Sequence, residues 1–291
     1  MTAWQFVAAT WPWEPSVVLG CAALGIGYLA AVRWRVEGRA GWFLAGVFVL
    51  LFALDSPLDT LADTYLFSAH MAQHLLLLLI VPPLLLAGTP ASLLAPAWQT
   101  APFRAIARAL GRPVVAWTLG VGAIWVWHIP ALFNATLDSG GVHLIEHLSF
   151  LVTGVIFWWA ILAPLPEARL APVPAMLYLL AAALACSVLG IVLTFARAGL
   201  YPAYLLPVDP LGLKPLIRAG WKLSPETDQE IGGLLMWIPG GLVYLCAMLG
   251  VLMRWYRWDE QDADGVVGGA PAPDAAVPAA PVLPAGELHA R

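Results

Sequence analysis

Five histidines lie in or beside apolar stretches of the sequence, and four of them form two pairs with a spacing of four residues. His70 pairs with His74, His143 pairs with His147, and His128 is the fifth. Residues four apart share one face of a helix, so each pair directs two imidazoles to the same side. A polar side chain in hydrocarbon costs free energy unless a partner compensates for it. Because two imidazoles at this spacing can bind one ion from a rigid helix, we interpret all five histidines as candidate metal ligands.

Other side chains near these histidines extend the same candidate site. Met71 and Glu146 flank the two pairs, and Asp228 and Met236 lie on or beside the last apolar segment. We include these four as additional candidate ligands, although a methionine in such a segment is more often a packing residue. Imidazole and thioether ligands together favour copper among the metals that proteins bind. A structural hydrogen-bond network, a proton relay or a haem site could use the same residues, and the spacing leaves these alternatives open.

The composition indicates that these segments lie in a membrane. Hydrophobic residues make up 61% of the chain and charged residues 11%, and the mean hydropathy is +0.80. A soluble domain carries about 25% charged residues. We therefore predict an integral membrane protein in contact with the lipid bilayer. A nucleic-acid partner is not expected, because the sequence has no basic stripe and its net charge is −4.

Seven apolar segments approach the roughly 20 residues that a transmembrane helix needs. They are residues 16–32, 40–54, 64–87, 113–132, 142–163, 174–196 and 229–254. We predict an all-α integral membrane protein, with a seven-transmembrane-helix bundle over residues 16–258. Residues 1–15 are predicted to be an interfacial segment, and 197–227 a long outer loop that folds against the membrane surface. Residues 259–291 are predicted to be a disordered Ala/Pro-rich tail.

Two proline motifs predict local helix geometry. Pro82 and Pro83 should kink the third segment, because a proline lacks the backbone donor and clashes with the preceding turn. Ser224 should cap the last helix, with Pro225 at its first position.

The basic residues predict the orientation in the membrane. Nine of them fall in connections on one side, namely Arg33, Arg35, Arg39, Arg104, Arg108, Arg112, Arg169, Arg254 and Arg257. Four fall on the other side, all within the loop 197–227. Since basic residues concentrate in cytoplasmic connections, we predict the N-terminus outside and the C-terminus in the cytoplasm. The five histidines then lie in the outer half of the membrane.

Three long blocks of sequence resemble a known family. The blocks "HMAQHLLLLLIVPPLLLAGTP", "WVWHIPALFNATLDSGGVHLIEHLSFLVTGVIFWW" and "DQEIGGLLMWIPGGLVYL" are similar to signature blocks of the caa3-type CtaG family, and the resemblance runs from about residue 40 to 255. It implies a multi-pass protein of the bacterial inner membrane that helps to mature haem–copper cytochrome c oxidase. It also implies that copper is supplied to the catalytic subunit of the oxidase, while an outer-side copper donor protein and a homodimer are further expected partners.

Three functional hypotheses follow for this chain. The first is a copper-binding assembly factor, which is not an enzyme. The second is a membrane cytochrome b with the same histidines as axial haem ligands. The third is a copper transporter, which would need polar groups through the inner half of the membrane, where the sequence is mostly Leu, Val and Ala.

Overall fold

The computed structural model describes residues 2–35 and 38–268, and for 258–268 the backbone alone. Every regular element in this part of the chain is a helix. The α-helices are α1 (Ala3–Thr10), α2 (Pro15–Ala31), α3 (Gly38–Leu54), α4 (Pro57–Thr64), α5 (Phe67–Leu75), α6 (Val81–Gly88), α7 (Ala91–Gln99), α8 (Ala101–Leu110), α9 (Pro113–Trp127), α10 (Pro130–Asp138), α11 (Gly140–Leu162), α12 (Pro172–Phe195), α13 (Pro202–Leu205) and α14 (Pro225–Gly268). The π-helical turns Leu76–Ile80 and Leu216–Gly220 and the 3-10 turn Pro166–Ala168 complete the set.

Several of these helices could cross a membrane. Four are long and apolar enough by themselves, namely Phe67–Gly88, Gly140–Leu162, Pro172–Phe195 and the Pro225–Arg257 part of α14. Three pairs qualify only if the two helices of each pair form one bent span, namely α1 with α2, α3 with α4, and α8 with α9. The described chain therefore contains four candidate spans, or up to seven if each bent pair is counted as one.

The helix Phe67–Gly88 is the most buried of the four long candidates. It joins α5 to α6 through the π-helical turn, in which the Val81 N–H donates to the Leu76 carbonyl. A proline at position 82 or 83 cannot donate to the preceding turn, and the wider π-helical turn accommodates this loss without ending the helix. The irregularity predicted from the prolines is therefore a π-helical turn inside one continuous helix.

The segment 197–227 packs on the protein itself. Leu213 and Ile217 form a buried apolar cluster with Tyr65, Leu66 and other residues at the junction of α4 and α5. Apolar side chains of this loop therefore have partners on the helix ends, and the expectation that the loop also folds against the membrane surface stays a prediction. The predicted start of the last helix is confirmed, since α14 begins at Pro225 and the Thr227 N–H donates to the Ser224 hydroxyl over 3.1 Å.

The C-terminal part differs in one respect from the expectation. A compact unit runs to Leu252, and from Met253 the described chain is the last part of α14, which ends at Gly268. Residues 259–268 are thus helical where a disordered tail was predicted, and their Asp, Glu, Gln and Ala residues include good helix formers. The remaining residues of the predicted tail, 269–291, lie outside the described chain.

Glycines on α14 allow it to approach its neighbours closely. A Cβ added to Gly233 would lie 2.5 Å from the backbone nitrogen of Thr194 and 2.8 Å from the carbonyl oxygen of Gly190, both on α12. A Cβ added to Gly241, two turns further along the same helix, would meet no atom within 4 Å. Only the first of these two glycines is needed for contact between helices, because a side chain there would have to displace backbone.

We expect Gly233→Ala to lower the free energy of unfolding by about 1–3 kcal/mol, because the added methyl group overpacks the contact between α12 and α14. Gly241→Ala is the matched control, and it should be neutral or stabilise the helix by up to about 1 kcal/mol through its higher helix propensity. Thermal or denaturant unfolding in detergent, followed by tryptophan fluorescence, measures both changes. Equal effects of the two substitutions would contradict the close contact.

Candidate metal centre

The predicted ligands come together at one end of the helix bundle. His70 and His74 lie on α5, and Glu146 and His147 lie on the first turns of α11. One ligand atom from each of these four residues lies within 4.8 Å of all the others. We call this group the inner cluster. Its members come from two helices, so the arrangement depends on the packing of α11 against the helix that contains α5.

The carboxylate of Glu146 occupies the middle of the inner cluster. Its Oε1 lies 3.4 Å from Nε2 of His74, and its Oε2 lies 3.6 Å from Nε2 of His70. Two donors bonded to one tetrahedral ion at about 2.0–2.1 Å lie about 3.3 Å apart. The observed separations are therefore close to those that a shared ion requires. Glu146, which the sequence suggested only as an additional ligand, is as central as the histidines.

Most polar atoms of this region have no hydrogen-bond partner within the described protein. The unpartnered buried atoms are Nε2 of His70, both ring nitrogens of His74, Nε2 of His143, Nε2 of His147 and both carboxylate oxygens of Glu146. More than about 90% of buried polar groups in native proteins are hydrogen-bonded, so a convergent set of exceptions needs an explanation. A metal cation would satisfy several of these atoms at once, and three imidazoles with one carboxylate suit Cu(II) or Zn(II).

Hydrogen bonds to His70 determine which of its nitrogens can bind a metal. The Tyr204 hydroxyl donates its only proton to the Ala62 carbonyl over 2.6 Å. The same hydroxyl lies 2.9 Å from Nδ1 of His70, so Nδ1 must carry the proton in that contact. The lone pair of His70 is then on Nε2, which faces Glu146. A fixed tautomer of this kind is typical of metal-binding histidines.

His128 lies beside the inner cluster and contacts the thioether of Met71. Its ring centre is 5.5 Å from that of His74, and its Nδ1 donates to the Ile124 carbonyl over 2.6 Å. The lone pair is therefore on Nε2, 3.1 Å from Sδ of Met71. His128 and Met71 thus form a separate imidazole–thioether pair, and the Tyr201 hydroxyl donates to the backbone carbonyl of His128.

Two of the additional candidates occupy other positions. The carboxylate of Asp228 accepts hydrogen bonds from the backbone N–H groups of Phe67 (2.8 Å) and Ser68 (3.1 Å) at the start of α5. This is the position of a helix cap, where a negative charge also interacts favourably with the helix dipole. Met236 is buried in the apolar core. Asp228 therefore positions the helix that carries His70 and His74, and Met236 is placed as a packing residue.

A second group of ligand atoms adjoins the inner cluster. Asp63, His143 and His70 each offer an atom within 4.8 Å of the other two, and Oδ1 of Asp63 lies 3.6 Å from Nε2 of His143. We call this the outer cluster, and His70 belongs to both. Sequence reasoning missed Asp63, and its spacing from His70 is no guide, because Asp63 lies on α4 and His70 on α5, with a break between the two helices.

Aromatic residues that sequence reasoning also missed cover the histidines. Phe133 of α10 is fully buried, and its ring centre lies 4.9 Å from that of His70 and 4.1 Å from that of Tyr201. Tyr201 and Tyr204 come from the segment 197–227, more than fifty residues from any of the five histidines in the sequence. No motif spacing connects them with the site, because only the packing of this segment over the bundle end brings them there.

Comparisons with known proteins identify a family and several relatives. A family model described as cytochrome c oxidase caa3 assembly factor (Caa3_CtaG) matches residues 23–258. The chain is 28% identical to a protein of Mycobacterium leprae (strain TN) over 277 residues, which are 86% of this chain and 40% of that protein. It is 26% identical over 285 residues to a protein of Mycobacterium tuberculosis (strain CDC 1551 / Oshkosh), with 88% of this chain and 41% of that protein covered. Both relatives are named only as uncharacterized proteins.

The chain spans about two fifths of the length of these relatives. No solved structure matches it significantly. The family model, in contrast, covers most of the chain, including Glu146 and the five histidines. The chain therefore belongs to the cytochrome c oxidase caa3 assembly factor family.

Proposed function

We propose that this chain is a membrane-embedded assembly factor that binds copper at the inner cluster and helps to deliver it to the catalytic subunit of cytochrome c oxidase. The observation that carries the proposal is the convergence of unpartnered imidazole nitrogens and a carboxylate within a buried, otherwise apolar bundle end. A purely structural network would be expected to satisfy its own donors and acceptors. Ligand atoms without partners are instead ready to accept a cation.

The donor set supports a role in binding and transfer without turnover. Neutral imidazoles and one carboxylate leave a bound Cu(II) with a net charge of about +1, and the buried carboxylate offsets part of the cost of placing a cation among apolar side chains. His143 and the pair of His128 and Met71 adjoin the inner cluster and offer further ligands. When further ligands lie next to a site, they can replace its own ligands one at a time, so the ion can be released to another protein. A closed structural site does not release its ion in this way.

We further propose seven spans, with the histidine end of the bundle on the outer side of the bacterial inner membrane. Counting each bent helix pair as one span supports the number. The excess of basic residues in alternate connections supports the orientation. A copper donor protein would then load the site from outside, where the copper is also delivered.

A haem protein is a weaker candidate. Axial haem ligands must lie on opposite faces of the macrocycle, with the iron between them. Here the imidazoles pack on one another, with ring centres 4.4 Å apart for His70 and His74 and 4.0 Å apart for His143 and His147. Between the two helices, the carboxylate of Glu146 lies 3.6 Å from Nε2 of His70 and 3.4 Å from Nε2 of His74, in the space that a macrocycle bound to either nitrogen would need.

A copper transporter is also less well supported. Beyond the histidines, the buried side chains of the helix Phe67–Gly88 are apolar and include Leu77, Leu78, Leu79 and Val81. The indole of Trp158 packs in this region and donates a hydrogen bond to the Leu78 carbonyl over 3.0 Å. A cation moving further into the bundle would leave its polar ligands and be surrounded by apolar side chains, at a cost of several kcal/mol.

The proposed topology can be tested by labelling single cysteines. Starting from a variant in which Cys21, Cys186 and Cys246 are replaced, we expect exposed Leu206→Cys and Asp138→Cys to react with a membrane-impermeant maleimide in intact cells. Exposed Arg35→Cys should react only after permeabilisation. The reverse pattern would place the histidine end in the cytoplasm and contradict the proposed orientation.

Copper binding can be tested with a double variant in which both histidines of α5 are replaced. We expect His70→Ala/His74→Ala to insert normally and to bind no copper, whereas Met236→Leu should bind as the unmodified protein does. Copper at about 100 times its dissociation constant should stabilise the unmodified protein by about 2.7 kcal/mol, since the ligand binds only the folded state. Metal analysis of purified protein and thermal unfolding with and without copper measure both effects.

The same variants test the cellular role. Cells that carry the double variant should assemble an oxidase deficient in copper and low in activity when copper is scarce, while the Met236→Leu control should sustain normal activity. If the unmodified protein binds copper but the double variant does not affect the oxidase, the chain binds metal for a recipient other than the oxidase. Full oxidase activity with the double variant at low copper would reject delivery as its role.

A further inference from the structure

Solvent exposure decreases stepwise from Asp63 through His143 to the inner cluster. The side chain of Asp63 is 40% exposed and that of His143 is 13% exposed, whereas those of His70 and Glu146 are fully buried. Consecutive ligand atoms along this line are close, with Oδ1 of Asp63 3.6 Å from Nε2 of His143 and that nitrogen 4.0 Å from Oε2 of Glu146. The line is therefore a continuous series of metal ligands from solvent to the buried site.

We propose that the outer cluster of Asp63, His143 and His70 is a second metal position, through which copper passes on its way into and out of the inner cluster. This inference rests on the proposed function of the inner cluster. It assigns a role to Asp63 and His143, which determine how fast copper enters and leaves the inner cluster. The inner cluster itself determines the affinity for copper.

The shared ligand His70 links the two positions. Its Nδ1 is held by Tyr204, so only Nε2 is free to bind a metal, and one lone pair binds one ion at a time. An ion in the outer cluster and an ion in the inner cluster therefore compete for the same nitrogen. The two positions exchange one ion instead of holding two, because His70 remains bound while the other ligands are replaced.

Each of the two positions offers one carboxylate to a bound ion. The outer cluster contributes the carboxylate of Asp63, and the inner cluster contributes that of Glu146. An ion moving between them leaves one carboxylate as it reaches the other, so it never lies among neutral ligands alone. The movement requires no electron transfer, and His70 binds the ion in both positions through the lone pair that is already on its Nε2.

A position on the path has a kinetic signature that distinguishes it from a ligand of the final site. Removing a position on the path slows the loading and the release of copper by the same factor, because the ion passes through that position in both directions. The equilibrium affinity of the inner cluster then stays the same. If Asp63 only attracted cations by its charge, its removal would slow loading but not release, and the dissociation constant would rise. If Asp63 were a ligand of the inner ion, its removal would accelerate release.

The experiment compares Asp63→Asn with Asp138→Asn in the full-length protein in detergent. Asp138 is a matched control because it is an exposed carboxylate at the end of α10, directly before the helix that carries His143. Cu(II) is added to metal-free protein, and loading and release are followed against a coloured copper chelator by stopped-flow absorbance. Electron paramagnetic resonance of the bound Cu(II) reports on the ligands of the loaded site.

For Asp63→Asn we expect loading and release to slow by about tenfold each, with the dissociation constant unchanged within about twofold and the resonance spectrum of the unmodified protein. Asp138→Asn should change neither rate. His143→Gln should reproduce the effect of Asp63→Asn, and the double variant should be no slower than either single one, because both residues form the same position.

Unchanged rates in both Asp63→Asn and His143→Gln would overturn the outer position while leaving the inner site intact. An altered dissociation constant or spectrum in Asp63→Asn would overturn it as well, since Asp63 would then act on the final site. A lack of copper binding by the unmodified protein would instead reject the proposed function, and with it this inference. His143→Gln keeps the test decisive if Asp63→Asn fails to fold.

Discussion

A carboxylate in an apolar helix bundle is costly, and the arrangement around Glu146 follows from that cost. Removing an ionised carboxylate from water costs several kcal/mol unless charges or hydrogen-bond donors replace the water. Glu146 is fully buried, with imidazoles of His70, His74 and His143 within 4.0 Å and no hydrogen bond from any of them. Neutral imidazoles offer only partial compensation. This incomplete compensation of the buried carboxylate supports the proposed cation site.

The surrounding protein holds these groups in place by contacts that involve their other polar atoms. Tyr204 and Tyr201 fix the ring of His70 and the backbone of His128, and Asp228 caps the helix on which His70 and His74 lie. Phe133 packs against the imidazoles and limits their exposure. Supporting contacts of this kind orient the candidate ligands in advance, which would reduce the entropy lost on binding of the proposed metal. The segment 197–227 thus helps to hold the candidate site in place, although none of its residues is a candidate ligand.

The position of the site at one end of the bundle agrees with exchange between proteins. The apolar interior lies beyond the cluster, and in the described chain the exposure of the candidate ligands rises from the inner cluster to Asp63. A site of this kind can take up and release an ion on the same side of the membrane. Membership of the cytochrome c oxidase caa3 assembly factor family is consistent with the proposed delivery of metal.

Much of this architecture could be predicted from local patterns. Apolar length identified segments that are all helical, and the spacing of four residues correctly put His70 with His74 and placed the second histidine pair on α11. Both depend on interactions within one helix, whose geometry is regular. The central role of Glu146, the participation of Asp63 and the capping role of Asp228 could not be predicted in this way. They depend on which faces of α4, α5, α11 and α14 meet, and side-chain packing between segments distant in the chain decides that.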